Sequence, residues 1–450
     1  MSLNYLGIKV PKILLPNEKI DLAKWAVVAC DQYTSQMEYW SKVEENVGDA
    51  PSTLNLVFPE VYLEDEDKEE RIESITSAME KYMDEAILKP LSSGFIYVER
   101  KTLHCGVRKG LMVAIDLEQY DYHEGSQTLI RATEGTVLDR LPPRICIRQG
   151  ASLEIPHIMV LIDDPQLTVI EPITNDLSNR VKLYDFDLMM NGGHITGYQV
   201  DDKPTIDRIF DALTALANPD AFRKKYEVGG DKGVLLFAMG DGNHSLATAK
   251  ACWEDLKSSL NPEEIETHPA HFALVELVNV HDNGLMFEPI HRVLFNVKPE
   301  KVLNDMKEFF LPTNQDFQYE LFKTESEMME KYGQLKESFK GHKIICTFEQ
   351  QWGILLIDNP QSNLEVGTLQ AFLDDYLKKE SHTTVDYIHG NDVVANLGSR
   401  HGNIGFFLPT MSKNNLFKTV ILDGVLPRKT FSMGEADEKR FYLECRKIIK

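Results

Sequence analysis

The alternation of apolar and polar residues predicts a strand that turns directly into a helix near the middle of the chain. The four consecutive apolar residues 234–237 are typical of a short strand covered on both faces. Behind them, Leu246, Ala249 and Trp253 recur at helical spacing, and Ser245 is a good N-cap for that helix. The pattern therefore places the polar junction between them at a helix N-terminus.

Elsewhere the same periodicities predict strands and helices in mixed order. The polar stretch 130–144 is expected to be a loop, and strands are expected on both sides of a turn at 282–284. Amphipathic helices are expected over 64–88, 205–226, 299–311, 324–340, 366–380 and, at the end of the chain, 441–450. The other expected strands are 26–29, 95–102, 110–120, 155–165, 167–173, 344–348, 352–357 and 403–408.

This order of elements predicts the fold class. Strands that alternate with helices, beside segregated stretches of each, favour an α/β protein with mixed (α+β) sheets over one continuous doubly wound sheet. At 450 residues the chain is too long for a single simple core. Lysine- and glutamate-rich helical stretches begin after about residue 295. We therefore predict one domain over 1–297 and a second, smaller α/β domain over 298–450.

Charge and composition narrow the classes of partner. The chain carries 70 acidic and 48 basic residues, a net charge of −22, and has no basic arm, which disfavours nucleic acid as a partner. Its six cysteines are scattered, so free thiols are expected rather than a zinc site or a disulfide framework. No apolar run reaches the roughly 18 residues of a membrane span. With no export signal, a cytoplasmic protein without a membrane partner is expected, and a homodimer is compatible with the sequence.

The junction Asp241–Ser245, called the bend from here on, is the strongest chemical signal. Gly240 and Gly242 permit backbone angles that residues with a Cβ avoid. A helix N-terminus offers N–H groups and a favourable dipole to an anion, beside Asp241 and His244. The plain alternative is a strand-to-helix turn in which Asp241 and Asn243 satisfy local amides. The bend lacks the lysine-containing pattern of a Walker loop.

Two further segments carry charges in unusual settings. His291 and Arg292 interrupt an apolar strand, where Arg292 could bind an anion or form a structural ion pair. The segment 130–144 is dense in alternating charge and includes Glu134. It is expected to be either a solvated loop or a loop that closes on a substrate.

Five short segments, in this order, make the chain similar to the family known as domain of unknown function 1015. The similarity spans nearly the whole chain, and each segment alone is weak. The segments are Cys30-Asp31-Gln32-Tyr33, Arg131-Ala132-Thr133-Glu134-Gly135-Thr136, Asp241-Gly242-Asn243-His244-Ser245, Ile290-His291-Arg292-Val293 and Pro427-Arg428-Lys429-Thr430-Phe431. The bend departs from the family's Asp-Gly-His-His-Arg at Asn243 and Ser245, so one cationic phosphate contact is missing. Asp31 also follows a Cys where the family has Tyr before Asp.

The Asp-Gly-His-His-Arg element also resembles the phosphate-holding motif of the ParB and sulfiredoxin superfamily, which includes kinases of free serine. The resemblance implies a ParB/sulfiredoxin-like first part that binds a nucleotide (ATP, ADP or CTP) at the bend. It further implies phosphoryl transfer to a small, serine-like hydroxyl metabolite.

Roles follow from that resemblance together with the chemistry of phosphoryl transfer. The amides of Gly242, Asn243, His244 and Ser245 would hold the phosphates, with His244 donating to a phosphate oxygen, and Asp241 would hold Mg²⁺. His291 and Arg292 would neutralise the transferring group, with Lys429 as a further source of positive charge. Asp31 or Glu134 would orient or deprotonate the acceptor hydroxyl.

Two other classes of function remain open from the sequence. A nucleotide-sensing protein without turnover fits the missing arginine of the bend equally well. A metal-dependent hydrolase would use Asp241, His244, His281, Asp282 and His291, although no pair of these has the i, i+4 spacing of a helical zinc motif.

Overall fold

The computed structural model describes residues 6–63, 65–136, 141–313 and 316–450. They form a mixed α/β structure, as predicted, in two compact units. The first unit comprises residues 1–286 and 433–450, and the second comprises 287–432. The division into domains 1–297 and 298–450 stays a prediction, because it concerns parts of the chain that fold independently. The ParB/sulfiredoxin-like character of the first part also stays a prediction.

The first unit is built around a large mixed sheet. Within the described residues the sheet has ten strands, and its parallel pairs are confined to one side. In spatial order the strands are Lys182–Asp187, His194–Val200, Phe95–Lys101, Val107–Asp116, Phe272–Asn279, Met159–Ile162, Phe237–Asp241, Ile130–Arg131 and Tyr120–Asp121; Ile8–Lys9 pairs with Val107–Asp116.

Alternating side chains give this sheet a separate core on each face. Tyr97, Leu111 and Val275 pack into one core, whereas their neighbours Ile96 and Met112 pack into the other. The helices that cover the faces are Leu22–Trp25, Met37–Val47, Lys68–Asp84, Leu141–Gln149, Lys203–Leu216, Pro219–Tyr226, Asn243–Lys257 and Pro262–Thr267. Short 3₁₀ turns are Thr53–Leu56, Glu60–Tyr62, Leu117–Gln119, Glu171–Asn179, Pro269–His271 and Ala436–Glu438.

The second unit has an antiparallel sheet with helices. In spatial order its six strands within the described residues are Phe317–Phe322, Gln351–Ile357, His342–Phe348, Asn403–Phe407, His291–Phe295 and Thr384–Ile388. Its helices are Pro299–Phe310, Glu325–Ser338, Glu365–Lys379, Asn391–Gly398 and Lys413–Asp423, with a 3₁₀ turn at Leu311–Thr313. Short strands also lie at Phe287–Pro289 and Phe431–Met433.

The last residues of the chain belong to the first unit as extended segments. Phe441–Tyr442 pairs with Val27–Val28, and Arg446–Lys447 pairs with Leu153–Glu154. The prediction of a helix over 441–450 was wrong. The extended path lets Arg440 reach the buried carboxylate of Glu276, a tertiary contact that outweighs local helix preference.

Most of the other predicted elements are confirmed, although the expected helix 205–226 is divided into Lys203–Leu216 and Pro219–Tyr226. The expected strand 167–173 was wrong, because Asp164 Oδ2 binds the amides of Thr168 and Val169 at 2.5 and 2.9 Å, so those amides do not join a ladder. The expected loop 130–144 ends in the helix Leu141–Gln149, and its residues 137–140 lie outside the described residues. A further short pair is Leu14–Pro16 with Leu88–Pro90.

Candidate functional site

The strand that leads into the bend begins later than the sequence predicts. It runs over Phe237–Asp241 instead of 234–237. The reason is that Arg131 donates from Nη2 to the carbonyl oxygens of Gly233 and Val234, at 2.6 and 3.2 Å. Those carbonyls are therefore bound by a side chain and not by a neighbouring strand. The strand itself ends at Asp241, two residues before the helix begins.

Gly242 makes the turn from strand to helix. Its φ is +80°, in the left-handed region that glycine favours, and the helix Asn243–Lys257 begins at the next residue. The prediction that Ser245 caps this helix was wrong, because Gly242 occupies the cap position and Ser245 is the third residue of the first helical turn. The N–H groups of a first helical turn lack acceptors within their own helix, so Asn243, His244 and Ser245 present donors at the bend.

The Asp241 carboxylate has a partner on each oxygen. Its Oδ2 lies 3.1 Å from Nζ of Lys439, and its Oδ1 accepts a 2.9 Å hydrogen bond from the Gly242 amide. Burial alone raises the pKa of this carboxyl, but the charges of Lys439 and His157 outweigh burial, so the pKa lies below its ordinary value. Asp241 is thus an anion that holds an ammonium group beside the helix N-terminus.

His157 joins the bend to the rest of the site. Its Nε2 lies 3.2 Å from Ser245 Oγ, and its Nδ1 lies 2.9 Å from the Tyr442 hydroxyl. Asp31 Oδ2 is 3.8 Å from the same Nε2. In a serine hydrolase the carboxylate holds the opposite ring nitrogen from the serine. Here Asp31 and Ser245 both lie beside Nε2 of His157, so the three side chains do not have the arrangement of a catalytic triad.

A cavity of about 150 Å³ lies next to this cluster. His157, Ser245 and Tyr442 line it together with the thiol residue Cys30, whose pKa burial raises. Most of its wall is apolar, formed by residues that include Leu56, Val57, Phe58, Met79, Ile147 and Leu153. The bend and the cavity therefore share Ser245 and His157.

The charged groups in the cavity wall are paired with one another. Glu60 forms an ion pair with Arg144, and the two side chains are only 18% and 16% exposed. Burial raises the pKa of the Glu60 carboxyl despite the opposing Arg144 charge. Glu154 lies 2.7 Å from Arg148 and 2.6 Å from Arg446. Each of these charged groups thus has an oppositely charged partner.

The structure brings other predicted residues to the same region. Asn243 is half-buried, and its Oδ1 is a buried atom with no hydrogen-bond donor within the described part of the chain. His244 is also half-buried in the first helical turn. Glu134 follows Thr133, whose hydroxyl donates to the Met239 carbonyl at 2.7 Å, which places Glu134 alongside the strand that ends at the bend.

Three predicted residues lie in the second unit. Arg292 is fully buried and donates to the carbonyl oxygens of Arg428 and Lys429, at 2.9 Å each. His291 Nδ1 accepts a 3.1 Å hydrogen bond from the Leu408 amide, and burial lowers the pKa of His291. Arg292 therefore holds a turn of the second unit together, and the anion-binding roles of His291, Arg292 and Lys429 stay predictions.

The donor set at the bend does not form a metal cage. Among the described residues, no group of three or more His, Cys, Asp or Glu side chains could hold a metal ion. His281, a ligand of the hydrolase hypothesis, has its Nε2 2.6 Å from Asp163 Oδ1. Likewise, no helix among the described residues is long and apolar enough to cross a membrane.

Sequence reasoning missed four residues that complete the site: His157, Tyr442, Lys439 and Glu60. Arg144, by contrast, lies in the charged segment 130–144 that the sequence pointed out. Tyr442 lies in the segment 441–450, for which a helix was predicted, and Lys439 lies just before it. No local pattern marks the long-range contacts of either residue. His157 had a detectable signal, since it is a histidine at the start of an otherwise apolar predicted strand.

The chain belongs to a family of proteins that is defined by sequence. The family model described as "Protein of unknown function (DUF1015)" matches residues 13–376, which is more than half of the 450 residues. The similarity that the five short segments indicated is thereby confirmed. Among curated proteins, none matches the chain.

Several solved structures are similar at low identity. A conserved hypothetical protein from Pyrococcus furiosus is 12% identical, with a TM-score of 0.33 over 74% of this chain and 90% of that one. A mutant free serine kinase in complex with AMP is 11% identical, with a TM-score of 0.36 over 75% and 92%. C-terminally truncated SbnI from Staphylococcus aureus is 9% identical, with a TM-score of 0.31 over 72% and 82%. At these scores the similarities carry no argument about activity.

Proposed function

We propose that this protein is a nucleotide-dependent phosphotransferase that acts on a small hydroxyl-containing metabolite. The observation that carries the proposal is the hydrogen bond of 3.2 Å between Ser245 and His157, because it joins the bend, as the proposed anion site, to the cavity. A donor nucleotide would occupy the bend, and the acceptor would occupy the cavity.

Two features of the bend support phosphate binding. The helix Asn243–Lys257 has 15 residues, so its dipole and first-turn amides favour an anion at its N-terminus. Lys439 places an ammonium group there, which can donate hydrogen bonds to a phosphate and is itself positioned by the Asp241 carboxylate. This lysine takes the place of the arginine that the bend lacks at Ser245. Phosphates of ATP, ADP or CTP are the proposed ligands.

Asp31 is the proposed general base. Its side chain is 29% exposed, and it lies on the side of His157 that faces Ser245. In the proposed step, the acceptor oxygen forms a bond to the terminal phosphorus while the bond from that phosphorus to the bridging oxygen breaks. The departing nucleotide keeps the electron pair, and the hydroxyl proton passes to the Asp31 carboxylate. Glu134, beside the same strand, is the second candidate.

The arrangement at Asp241 does not fit the predicted Mg²⁺ ion. Both carboxylate oxygens have partners, and a cation at Oδ2 would displace Lys439 from 3.1 Å. A Mg²⁺ ion that is held by nucleotide phosphates and water needs few protein oxygens, so it does not require the Asp241 carboxylate. In this proposal Lys439 and the helix amides neutralise the phosphate charge, and the unpartnered Asn243 Oδ1 accepts a hydrogen bond from a nucleotide hydroxyl or water.

The test combines nucleotide binding with phosphoryl transfer. Calorimetry measures the affinity for ATP, ADP and CTP, and mass spectrometry detects phosphate esters formed from a panel of alcohols. Lys439→Met removes a charge-assisted hydrogen bond worth about 1.5–3 kcal/mol, so nucleotide affinity is expected to fall roughly 10- to 150-fold. Lys250→Met is the matched control, because Lys250 is similarly buried (17% against 14%) and is paired with Glu254 on the same helix.

Each outcome discriminates among the hypotheses. Transfer that depends on Lys439 supports the phosphotransferase. Nucleotide binding without transfer to any alcohol of the panel would replace it with the sensing protein. Equal nucleotide affinities for the two lysine variants would overturn the bend as the phosphate site.

A further inference from the structure

The cavity beside Ser245 indicates which chemical class the acceptor belongs to. This inference rests on the proposed function, since it assumes that the cavity holds the acceptor. The cavity has about 150 Å³ of free space, enough for a group of the size of one benzene ring. The part of the acceptor that enters this space is therefore small and compact.

The apolar wall favours an apolar body. Leu56, Phe58, Met79 and Leu153 are all largely buried and line the cavity, so they offer few hydrogen-bond partners to a bound molecule. A polar molecule such as glycerol would lose its hydrogen bonds to water here without replacing them. An aryl or branched aliphatic group makes no hydrogen bonds to water and therefore loses none on entering the cavity.

The charges in the wall disfavour an ionised acceptor. Glu60 is paired with Arg144, and Glu154 is held by both Arg148 and Arg446. A zwitterion such as serine would have to break one of these half-buried or buried pairs to obtain partners for its ammonium and carboxylate. Breaking such a pair is costly because it leaves a charge without its counter-ion.

The cavity wall also offers hydrogen-bond partners to a hydroxyl. Ser245, His157 and Tyr442 are among its lining residues, and the Ser245–His157–Tyr442 hydrogen bonds form a continuous chain. Asp31 lies 3.8 Å from the same His157 nitrogen that binds Ser245. A hydroxyl placed there lies next to the proposed base and the bend.

We propose that the acceptor is an uncharged alcohol with an aryl or branched aliphatic body of about the size of a benzyl or isopentyl group. Its body occupies the apolar part of the cavity, and its hydroxyl points towards Ser245 and His157. The cavity thereby selects against free amino acids and polyols.

The test uses benzyl alcohol and 3-methylbutan-1-ol as probes, with L-serine and glycerol as polar comparisons, on the full chain. Ligand-observed NMR is expected to give at least tenfold tighter binding for the two apolar alcohols. Ala151→Leu, in the cavity wall, is expected to weaken benzyl alcohol binding at least tenfold, whereas Ala23→Leu, on an exposed helix position, leaves it unchanged. The comparison of ligands on the unaltered chain needs no variant to fold.

A transfer assay completes the test. With ATP and equal concentrations of benzyl alcohol and L-serine, at least tenfold more benzyl phosphate than phosphoserine is expected. Tighter binding or faster phosphorylation of serine would overturn this inference alone and leave the phosphotransferase intact. A failure of nucleotide binding, with benzyl alcohol still bound, would instead overturn the proposed function.

Discussion

Replacing Gly242 with alanine tests whether the left-handed turn sets the start of the site helix. A residue with a Cβ at φ +80° is strained by about 1–2 kcal/mol. A Cβ at Gly242 would also lie 3.1 Å from both Cα and Cγ1 of Ile158, and such overpacking costs about 1–3 kcal/mol. Alanine restricts the unfolded chain, which offsets about 0.4–1 kcal/mol. The expected net loss in the free energy of unfolding is about 3 kcal/mol at the midpoints of these ranges, within limits of roughly 1 to 4.6 kcal/mol.

Gly125→Ala provides the matched control. Gly125 has a similar φ of +76°, but a Cβ there meets nothing within 4 Å, so only the backbone strain remains. Its expected loss is about 1 kcal/mol. Urea unfolding followed by tryptophan fluorescence reports both variants, since Trp25, Trp40 and Trp253 all lie in the first unit. Equal losses for the two variants would refute the packing of Gly242 against Ile158.

Three further predictions concern the charges of the site. Because the pKa of Asp241 lies below its ordinary value, this carboxylate stabilises the fold at neutral pH and ceases to do so as pH falls through its folded pKa. Lys439→Met should therefore flatten the dependence of the free energy of unfolding on pH between pH 6 and pH 3. An unchanged slope would contradict the Asp241–Lys439 pairing. Arg144→Met leaves the Glu60 carboxylate buried without its partner, so the free energy of unfolding should fall by about 3–5 kcal/mol at pH 7. The loss should shrink as pH falls, because without the Arg144 charge burial raises the pKa of Glu60 further, and a protonated carboxyl needs no counter-ion. A loss independent of pH would contradict the buried Glu60–Arg144 pair. Asp31→Asn should lower phosphoryl transfer about 10²- to 10⁴-fold with little change in nucleotide affinity by calorimetry, whereas a parallel loss of both would reject Asp31 as the base.

Local patterns predicted the parts of the fold that depend on short-range order. The helix Lys68–Asp84 buries Ile75, Met79 and Tyr82, the apolar positions that recur at its helical spacing. The strands Phe95–Lys101 and Val107–Asp116 lie where the alternating pattern indicated. In these elements propensity, periodicity and burial agree, so the sequence alone is informative.

The errors lie where distant residues determine local structure. The strand before the bend begins at Phe237 because Arg131 binds the preceding carbonyls, and the pattern of the strand itself carries no trace of that contact. The C-terminal segment is extended because Arg440 reaches Glu276 inside the first unit.

The candidate site has one part that is contiguous in the sequence, the bend, and one part that is assembled only by folding. The bend was visible in the sequence because its chemistry is contiguous from Asp241 to Ser245. His157 and the C-terminal residues Lys439 and Tyr442 are far from the bend along the chain and meet it only in the folded protein, so spacing along the sequence could not identify them.

The central claim is that the bend binds phosphate, and a crystal structure of the chain with a non-hydrolysable ATP analogue tests it most directly. The account predicts phosphate oxygens within hydrogen-bond distance of the backbone amides of Asn243–Ser245 and of Lys439 Nζ. An analogue bound at full occupancy elsewhere, with the Asp241–Lys439 pair and these amides untouched, would contradict it.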